Sequence, residues 1–260
     1  MMTTKTKESL GIMFNIANEV RLAYLRVKHQ GQGVECTCCG SQFKSFASFG
    51  VPRRPNAWCP KCESLERHRL LWKFLEEKTN FYTSKLKILH VAPETVFFKF
   101  IKKMKNIDYY PADKFPAVYP NGTHYIDLLE IDFPENSFDA IICNHVFQYI
   151  ENDRKAISEI YRVLKPGGWA ILQVPINKKL KVTYEDPTIT DPIEREKAFG
   201  LKEHVRFYGL DYADRLREAG FNVSVIDYCE EFTEEEVKRF GFWKGDGIYF
   251  VSKHYEKNVK

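Results

Sequence analysis

No run of eighteen apolar residues occurs in this 260-residue chain, so no segment reads as a membrane-spanning helix. The apolar stretch from Leu10 to Val20 is broken by Asn15, Asn18 and Glu19, which excludes the uninterrupted apolar stretch of a secretory signal. A cytoplasmic protein without a membrane partner is expected. Strong net charge is lacking too: the formal value is +4, although residues 1–73 hold twelve Lys/Arg against five Asp/Glu and the remainder is net acidic. Cysteine is scarce after residue 62, where only Cys143 and Cys229 remain. A disulfide-stapled secreted scaffold is therefore disfavoured against a reducing compartment. The chain is long enough to bury one full-sized core and a small appendage.

The cysteines that are present fall into two pairs, Cys36-x2-Cys39 and Cys59-x2-Cys62. A two-residue gap lets both sulfurs of a pair turn toward one ion at about 2.3 Å, and residues 40–58 can form a ribbon that brings the second pair opposite the first. Cys38 offers a third sulfur beside the first pair and could replace one of its members. Cys36 and Cys39 are preferred, because Cys38-Cys39 are vicinal and Cys36-x-Cys38 makes too tight a loop, while Gly40 eases the turn. Four thiolates leave no open coordination position, so a structural Zn²⁺ is expected rather than a catalytic one. Arg53-Arg54 and Arg67-His68-Arg69 make this region a candidate phosphate-facing patch, although charge runs are commonly just solvated surface.

Periodicity divides the rest. Apolar residues from Leu10 to Leu25 recur at helical spacing up to Gly31 and Gly33, predicting a leading helix, and a second helix is predicted over about Ser64 to Glu77. From Lys85 onward strands alternate with helices. Strands are expected at Lys87–Val91, Asp108–Ala112, His124–Ile126, Ala140–Cys143, Trp169–Val174, Asn222–Tyr228 and Gly247–Ser252, with helices near Thr95–Lys105, Asp153–Leu164 and Asp211–Ala219. The expected fold is α/β: a Rossmann-like, seven-stranded, doubly wound sheet whose last strand returns antiparallel as an edge, preceded by a small four-cysteine zinc module and the leading helix. The expected domains are 1–34 (amphipathic helix), 35–80 (zinc-ribbon-like module and linking helix) and 81–260 (the sheet domain). Ligand should sit at the carboxyl ends of the first strands.

The segment Asp127-Leu-Leu-Glu-Ile-Asp-Phe-Pro-Glu-Asn-Ser-Phe-Asp139, running into Ala140-Ile-Ile-Cys-Asn-His145, resembles the middle of class I S-adenosylmethionine-dependent methyltransferases of the type 11 kind. Arg162-Val-Leu-Lys-Pro-Gly-Gly168 continues the likeness, which covers about residues 85–253, and Cys62 to Arg69 looks like a zinc-bearing subgroup. The resemblance implies S-adenosylmethionine as cofactor. Asp113, at the end of the second strand, suits the ribose hydroxyls; Asp127 takes the position that contacts the adenine amine, with Leu128 against the ring. For both aspartates the plain alternative is an Asx turn. The glycine bend that relatives carry after the first strand is missing: His90-Val91-Ala92-Pro93-Glu94 stands there. Ala92 keeps some of the close approach, Pro93 withholds an N–H, Glu94 becomes the candidate for the cofactor's ammonium, and His90 stays among the pocket residues.

Methyl transfer from a sulfonium needs mainly alignment, plus a base for an alcohol or protonated amine. Asn144 and His145 follow the fourth strand, and Gln148 stands where many relatives have an acid. The insert between Val174 and Leu210 brings Glu203-His-Val-Arg-Phe-Tyr-Gly209, a cluster suited to a base (His204), an anion clamp and an aromatic wall (Tyr208). No Asn-Pro-Pro-Tyr turn follows the fourth strand, so exocyclic amines of bases are disfavoured as acceptors. Cys143 reads as a buried strand residue. A small-molecule or saccharide acceptor is the first reading, RNA gripped by the basic module the second, and a silent methyltransferase-fold binding protein the third.

Overall fold

The computed structural model describes residues 17–245 and 247–254, which divide into two compact units. One holds the described residues up to Thr79 together with Tyr228–Gly245; the other holds Asn80–Asp227 and the described residues beyond Gly245. The expected domain over 81–260 is thus interrupted. Its segment Tyr228–Gly245 belongs with the cysteine module, for reasons of buried charge given below. The start of the leading helix, residues 10–16, lies outside the described residues.

In the first unit, α1 (residues 17–28) is followed by the hairpin of β1 (Val34–Glu35) and β2 (Gln42–Phe43), then by that of β3 (Ala47–Phe49) and β4 (Arg54–Trp58), and by α2 (Glu66–Lys78). Leu22 of α1 is buried with Ala47, Trp58 and Leu65, and Leu25 packs beside them. The leading helix therefore covers the ribbon of its own chain.

The second unit begins with β5 (Leu86–Val91), α3 (Thr95–Ile101), β6 (Ile107–Asp113), β7 (His124–Tyr125), β8 (Phe138–Asn144), α4 (Asp153–Val163) and β9 (Leu164–Gln173). A small insert follows, with β10 (Tyr184–Glu185), α5 (Pro192–Phe199) and β11 (Arg206–Phe207). Then come α6 (Tyr212–Glu218) and β12 (Asn222–Ile226), after which the chain leaves through α7 (Glu234–Phe240) of the first unit and returns as β13 (Ile248–Ser252). The seven-stranded sheet has the order β12-β13-β9-β8-β5-β6-β7. Strands β5 to β9 are parallel, and β13 is antiparallel to both its neighbours. The antiparallel last strand was expected at an edge; it is instead wedged between β9 and β12, with Val251 paired to Ala170 on one side and Val223 on the other. Tyr249 and Val251 are buried, and an apolar strand of this kind is worth more inside the sheet than at its rim.

The two sequence signatures on either side of β8 are mechanically linked. Arg162 of α4 donates from Nη1 to the Phe133 carbonyl and from Nη2 to the Ile131 carbonyl, both at 2.7 Å, while Glu159 accepts the Ile131 N–H at 3.0 Å. One helix face thus holds the loop that carries Asp127 into β8. Gly167 has φ +75°, and a Cβ on Gly168 would stand 2.8 Å from the Asp139 carbonyl oxygen, so the Pro-Gly-Gly turn can approach β8 only without side chains.

Arg162 holds the Glu159 carboxyl down to about 2, helped by Lys155 and the Ile131 N–H against burial. Because its folded pKa lies below the ordinary 4.5, its contribution is complete above that pH and is lost as pH falls toward 2. Glu159→Gln should cost about 1–3 kcal/mol at neutral pH and flatten the acid limb of stability, measured by urea unfolding between pH 7 and 3.

Candidate functional site

Register brings the site together. On β5, Val91 pairs with Ala112 of β6 on one side and Cys143 of β8 on the other, so the next residues, Ala92, Asp113 and Asn144, emerge side by side at the carboxyl edge. Ala92 has φ +50° and donates its N–H to the Ala112 carbonyl at 3.0 Å. The bend thus adopts the left-handed conformation that glycine would take, at a cost of about 1–2 kcal/mol for an alanine. His145, just past β8, has φ +56° and donates its N–H to the Gln173 carbonyl at 2.7 Å. Two non-glycine left-handed residues at adjacent strand ends mark a place where the surrounding structure enforces strain.

His90 is fully buried, with its ring nitrogens 2.7 Å from Glu94 Oε2 and 2.8 Å from the Tyr109 hydroxyl. It therefore faces protein on both sides and presents nothing to a ligand directly, contrary to its expected place among pocket residues. Asn144 Nδ2 donates to Glu94 Oε1 at 3.0 Å, while the oxygen of the same amide is buried without a partner. Gln148 Oε1 is likewise buried and unpartnered, its Nε2 being donated to the His145 carbonyl. Orphaned buried acceptors are costly, and a ligand bearing N–H or O–H groups would satisfy them.

Asp113 is half-buried, and its Oδ1 accepts the Phe115 N–H at 2.7 Å. Burial pushes its pKa up, against the pull of the Phe115 N–H and the Tyr119 hydroxyl; burial and Asp113 in turn push Tyr119 up to about 12. Asp127 Oδ1 accepts the Leu129 N–H at 3.0 Å and Oδ2 pairs with Lys114 at 2.9 Å, which together hold its pKa down. Each aspartate thus does make an Asx-type turn with one oxygen. Leu128 is buried beside Asp127. Tyr109, Lys114 and Tyr119 were not among the expected residues. Tyr109 was legible in principle, since it shares the two-residue period of β6 with Asp113; Lys114 and Tyr119 lie in a loop that no periodicity addresses.

The insert behaves differently from its expected chemistry. Tyr208 is fully buried and donates its hydroxyl to Asp153 Oδ2 at 2.7 Å, so it is a core residue and not a wall of the cleft. Arg206 is buried with its donors spent on Glu185 and the carbonyls of Phe147, Ile150 and Glu151, and it clamps no external anion. These side chains, with Arg215 bridging Asp153 and Glu185, pin the insert to the turn after β8. His204 sits edge-on to Tyr149 of that turn, ring centroids 4.9 Å apart. Its Nδ1 donates to the Phe199 carbonyl at 3.1 Å, so Nδ1 is committed as a donor and Nε2 is the nitrogen left for proton exchange.

In the first unit, the sulfurs of Cys36, Cys39, Cys59 and Cys62 all lie within 4.8 Å of one another and could hold a metal ion. The two knuckles are built alike: the Gly40 N–H reaches the Cys36 carbonyl and the Glu63 N–H the Cys59 carbonyl, and both Gly40 and Glu63 have φ +66°. Crowding pulls the Cys36 thiol down and pushes Cys59 and Cys62 up, because neighbouring sulfurs cannot all carry charge without a cation among them. Cys38 stands outside the quartet, its thiol turned to the His68 carbonyl at 3.6 Å.

The basic patch expected here is largely consumed internally. Arg54 pairs with Glu66 at 2.9 Å, and His68 Nδ1 accepts the Leu65 N–H. Arg69 has no exposed surface: its guanidinium donates to the carbonyls of Ala57, Ser64, Phe240 and Gly241 and lies 4.0 Å from the centre of the Phe46 ring. Its hydrogen bonds go to carbonyls rather than carboxylates, and burial pulls its pKa down against the nearby thiols and Glu66. One side chain thus joins β4, the second knuckle and the end of α7, which is why Tyr228–Gly245 belongs to this unit. Arg69→Lys cannot reproduce this fan of donors and should lower thermal stability strongly, by about 3 kcal/mol; calorimetric unfolding at fixed metal loading would measure it.

Residues 110–172 match the family described as Methyltransferase domain, a segment that contains Asp113, Asp127 and Asn144. Among curated relatives, malonyl-(acyl-carrier protein) O-methyltransferase of Paenibacillus sp. (strain JDR-2) is 26% identical over 124 residues, 43% of this chain and 39% of that protein. Phosphoethanolamine N-methyltransferase 2 of Caenorhabditis elegans is 26% identical over 133 residues, 50% of this chain and 28% of that protein. The chain therefore spans well under half the length of these relatives. Among solved structures, an S-adenosylmethionine-dependent methyltransferase from Mesorhizobium loti aligns over 70% of this chain and 97% of that one, at 15% identity and a TM-score of 0.46.

Proposed function

We propose that this chain, which carries a Rossmann-like methyltransferase domain, transfers a methyl group from S-adenosylmethionine to a small-molecule or saccharide acceptor and contains a structural Zn²⁺. The observation that carries the reading is the place of Asp113 and Asp127 at the ends of the adjacent parallel strands β6 and β7, at the carboxyl edge of a sheet ordered β12-β13-β9-β8-β5-β6-β7 and within the segment that matches the family. The orphaned oxygens of Asn144 and Gln148 at that same edge support a bound ligand with hydrogen-bond donors. When bound, the cofactor supplies an activated methyl group. In this reading Asp113 accepts from the ribose hydroxyls, Asp127 accepts from the adenine amine with Leu128 against the ring, and Glu94 faces the ammonium.

His204 is the group best formed to take a proton from an acceptor hydroxyl, because its Nδ1 is already committed to a carbonyl and Nε2 is left basic. His145 supplies the left-handed backbone bend at the end of β8. The internal use of Arg54, His68 and Arg69 favours the small acceptor over RNA, since a phosphate-gripping surface needs those cations outside.

Calorimetry with S-adenosylhomocysteine tests the cofactor. Ribose hydroxyls need the ionised Asp113, and burial has raised its pKa. Affinity should therefore be full at neutral pH and begin to fall, as pH drops, earlier than an ordinary aspartate would allow. Asp113→Asn should weaken binding roughly ten- to hundredfold at pH 7 and abolish that pH dependence; binding unchanged in both Asp113→Ala and Asp127→Ala would refute the reading.

The quartet fits Zn²⁺ by donor type and closeness, with Cys36, Cys39, Cys59 and Cys62 as ligands. Metal analysis of the purified protein should find about one equivalent of zinc. Cys59→Ser with Cys62→Ser should lose it, whereas Cys38→Ser should retain it.

A further inference from the structure

At the carboxyl end of β5 the molecule has built a set of acceptors where a donor is wanted. The Glu94 carboxylate, on a side chain 17% exposed, is fixed from two directions: Oε2 by His90 at 2.7 Å and Oε1 by Asn144 Nδ2 at 3.0 Å. The same Asn144 amide leaves its oxygen buried and unpartnered. Flipping that amide would not help, since it would turn the oxygen toward the carboxylate and forfeit the bond to Glu94. The orientation is forced, and the orphan persists for want of a donor from outside the chain.

A carboxylate beside an orphaned amide oxygen selects for a cation with several N–H groups. An ammonium satisfies both, because it has three donors and a charge that the carboxylate offsets. A neutral hydroxyl has one donor and no charge.

The carboxylate does not hold this position alone. Behind it, His90 is completely buried, and its second nitrogen meets the Tyr109 hydroxyl at 2.8 Å. With Glu94 on Nε2 and the Tyr109 hydroxyl on Nδ1, both ring nitrogens are used, so each member of the row is satisfied by the next. The row crosses from β6 through β5 to the residue that opens α3. Burial pushes the Tyr109 hydroxyl's pKa upward, with the Glu94 charge adding to it, which keeps that hydroxyl a donor at any working pH.

We propose that Tyr109 and His90 act as positioning residues that aim the Glu94 carboxylate, already read as facing the ammonium of the cofactor's amino-acid end, with Asn144 Oδ1 as the second acceptor at that spot. The relay takes the place of a glycine turn: side chains fix the acceptors that a bare backbone would otherwise have to approach. This assignment rests on the cofactor reading above, and the two can fail separately.

The test compares S-adenosylhomocysteine with 5′-methylthioadenosine, which keeps the adenine and ribose but lacks the amino acid, by calorimetry on the full chain. Glu94→Gln should weaken S-adenosylhomocysteine by about tenfold or more and leave 5′-methylthioadenosine within about twofold. His90→Asn should weaken S-adenosylhomocysteine severalfold in the wild-type background and have no further effect on it in Glu94→Gln, as expected of a group that acts through Glu94. His90→Gln, which retains a donor, should recover part of the loss. Should His90→Asn fail to fold, Tyr109→Phe gives the same cycle from one step further back.

Equal losses for both ligands, or undiminished S-adenosylhomocysteine binding by Glu94→Gln, would overturn the subsite. Additive effects of His90→Asn and Glu94→Gln would overturn the positioning role. Failure of the unaltered protein to bind S-adenosylhomocysteine would instead overturn the cofactor reading itself.

Discussion

The parallel register of β5 between β6 and β8 is the constraint on which the candidate site rests. Parallel neighbours in this register end at the same level, so the residues that leave Val91, Ala112 and Cys143 arrive at the sheet's carboxyl edge together. Asp113 and Asn144 owe their closeness to backbone pairing rather than to any attraction between them. The strain at Ala92 and His145 is the local cost of turning the chain sharply at that level, and the buried strands beneath hold it.

In the first unit a buried positive charge plays the corresponding part. Arg69 is satisfied by four carbonyls and an aromatic face. A guanidinium can fill such a site because its donors are rigid and diverge in one plane. The aromatic residues around it continue the core: Phe74 meets Tyr228 edge-on, Tyr228 meets Phe232, and Phe232 meets Phe242. The segment between β12 and β13 thus has an apolar as well as a polar reason to belong there.

Much of this was legible in the residues. The cysteine spacing located the quartet, and alternation of apolar segments located the strands, because both depend on short-range geometry. The reach of Arg162 across to Ile131 and Phe133 explains why its sequence signature and the one containing Asp127 occur together. What the sequence concealed was direction. His204 and Tyr208 stand four residues apart and were assigned to one cleft, yet Tyr208 is wholly in the core. Arg69 and Arg67 read alike as surface charge, yet of the two Arg67 is exposed and Arg69 is not. The place of β13 inside the sheet was hidden as well, since strand order follows from long-range pairing that no local pattern encodes.

The excursion from β12 through α7 to β13 gives the molecule an unusual modularity. The cysteine unit is assembled from two stretches of chain separated by almost the whole sheet, so neither unit is a cassette that a single cut could release. A fragment beginning after α2 would keep Tyr228, Phe232 and Phe242 while losing Phe74 and Arg69, which hold that stretch in place. Recombination at one breakpoint would strand the same apolar loop, which ties the inheritance of the metal module to that of the sheet.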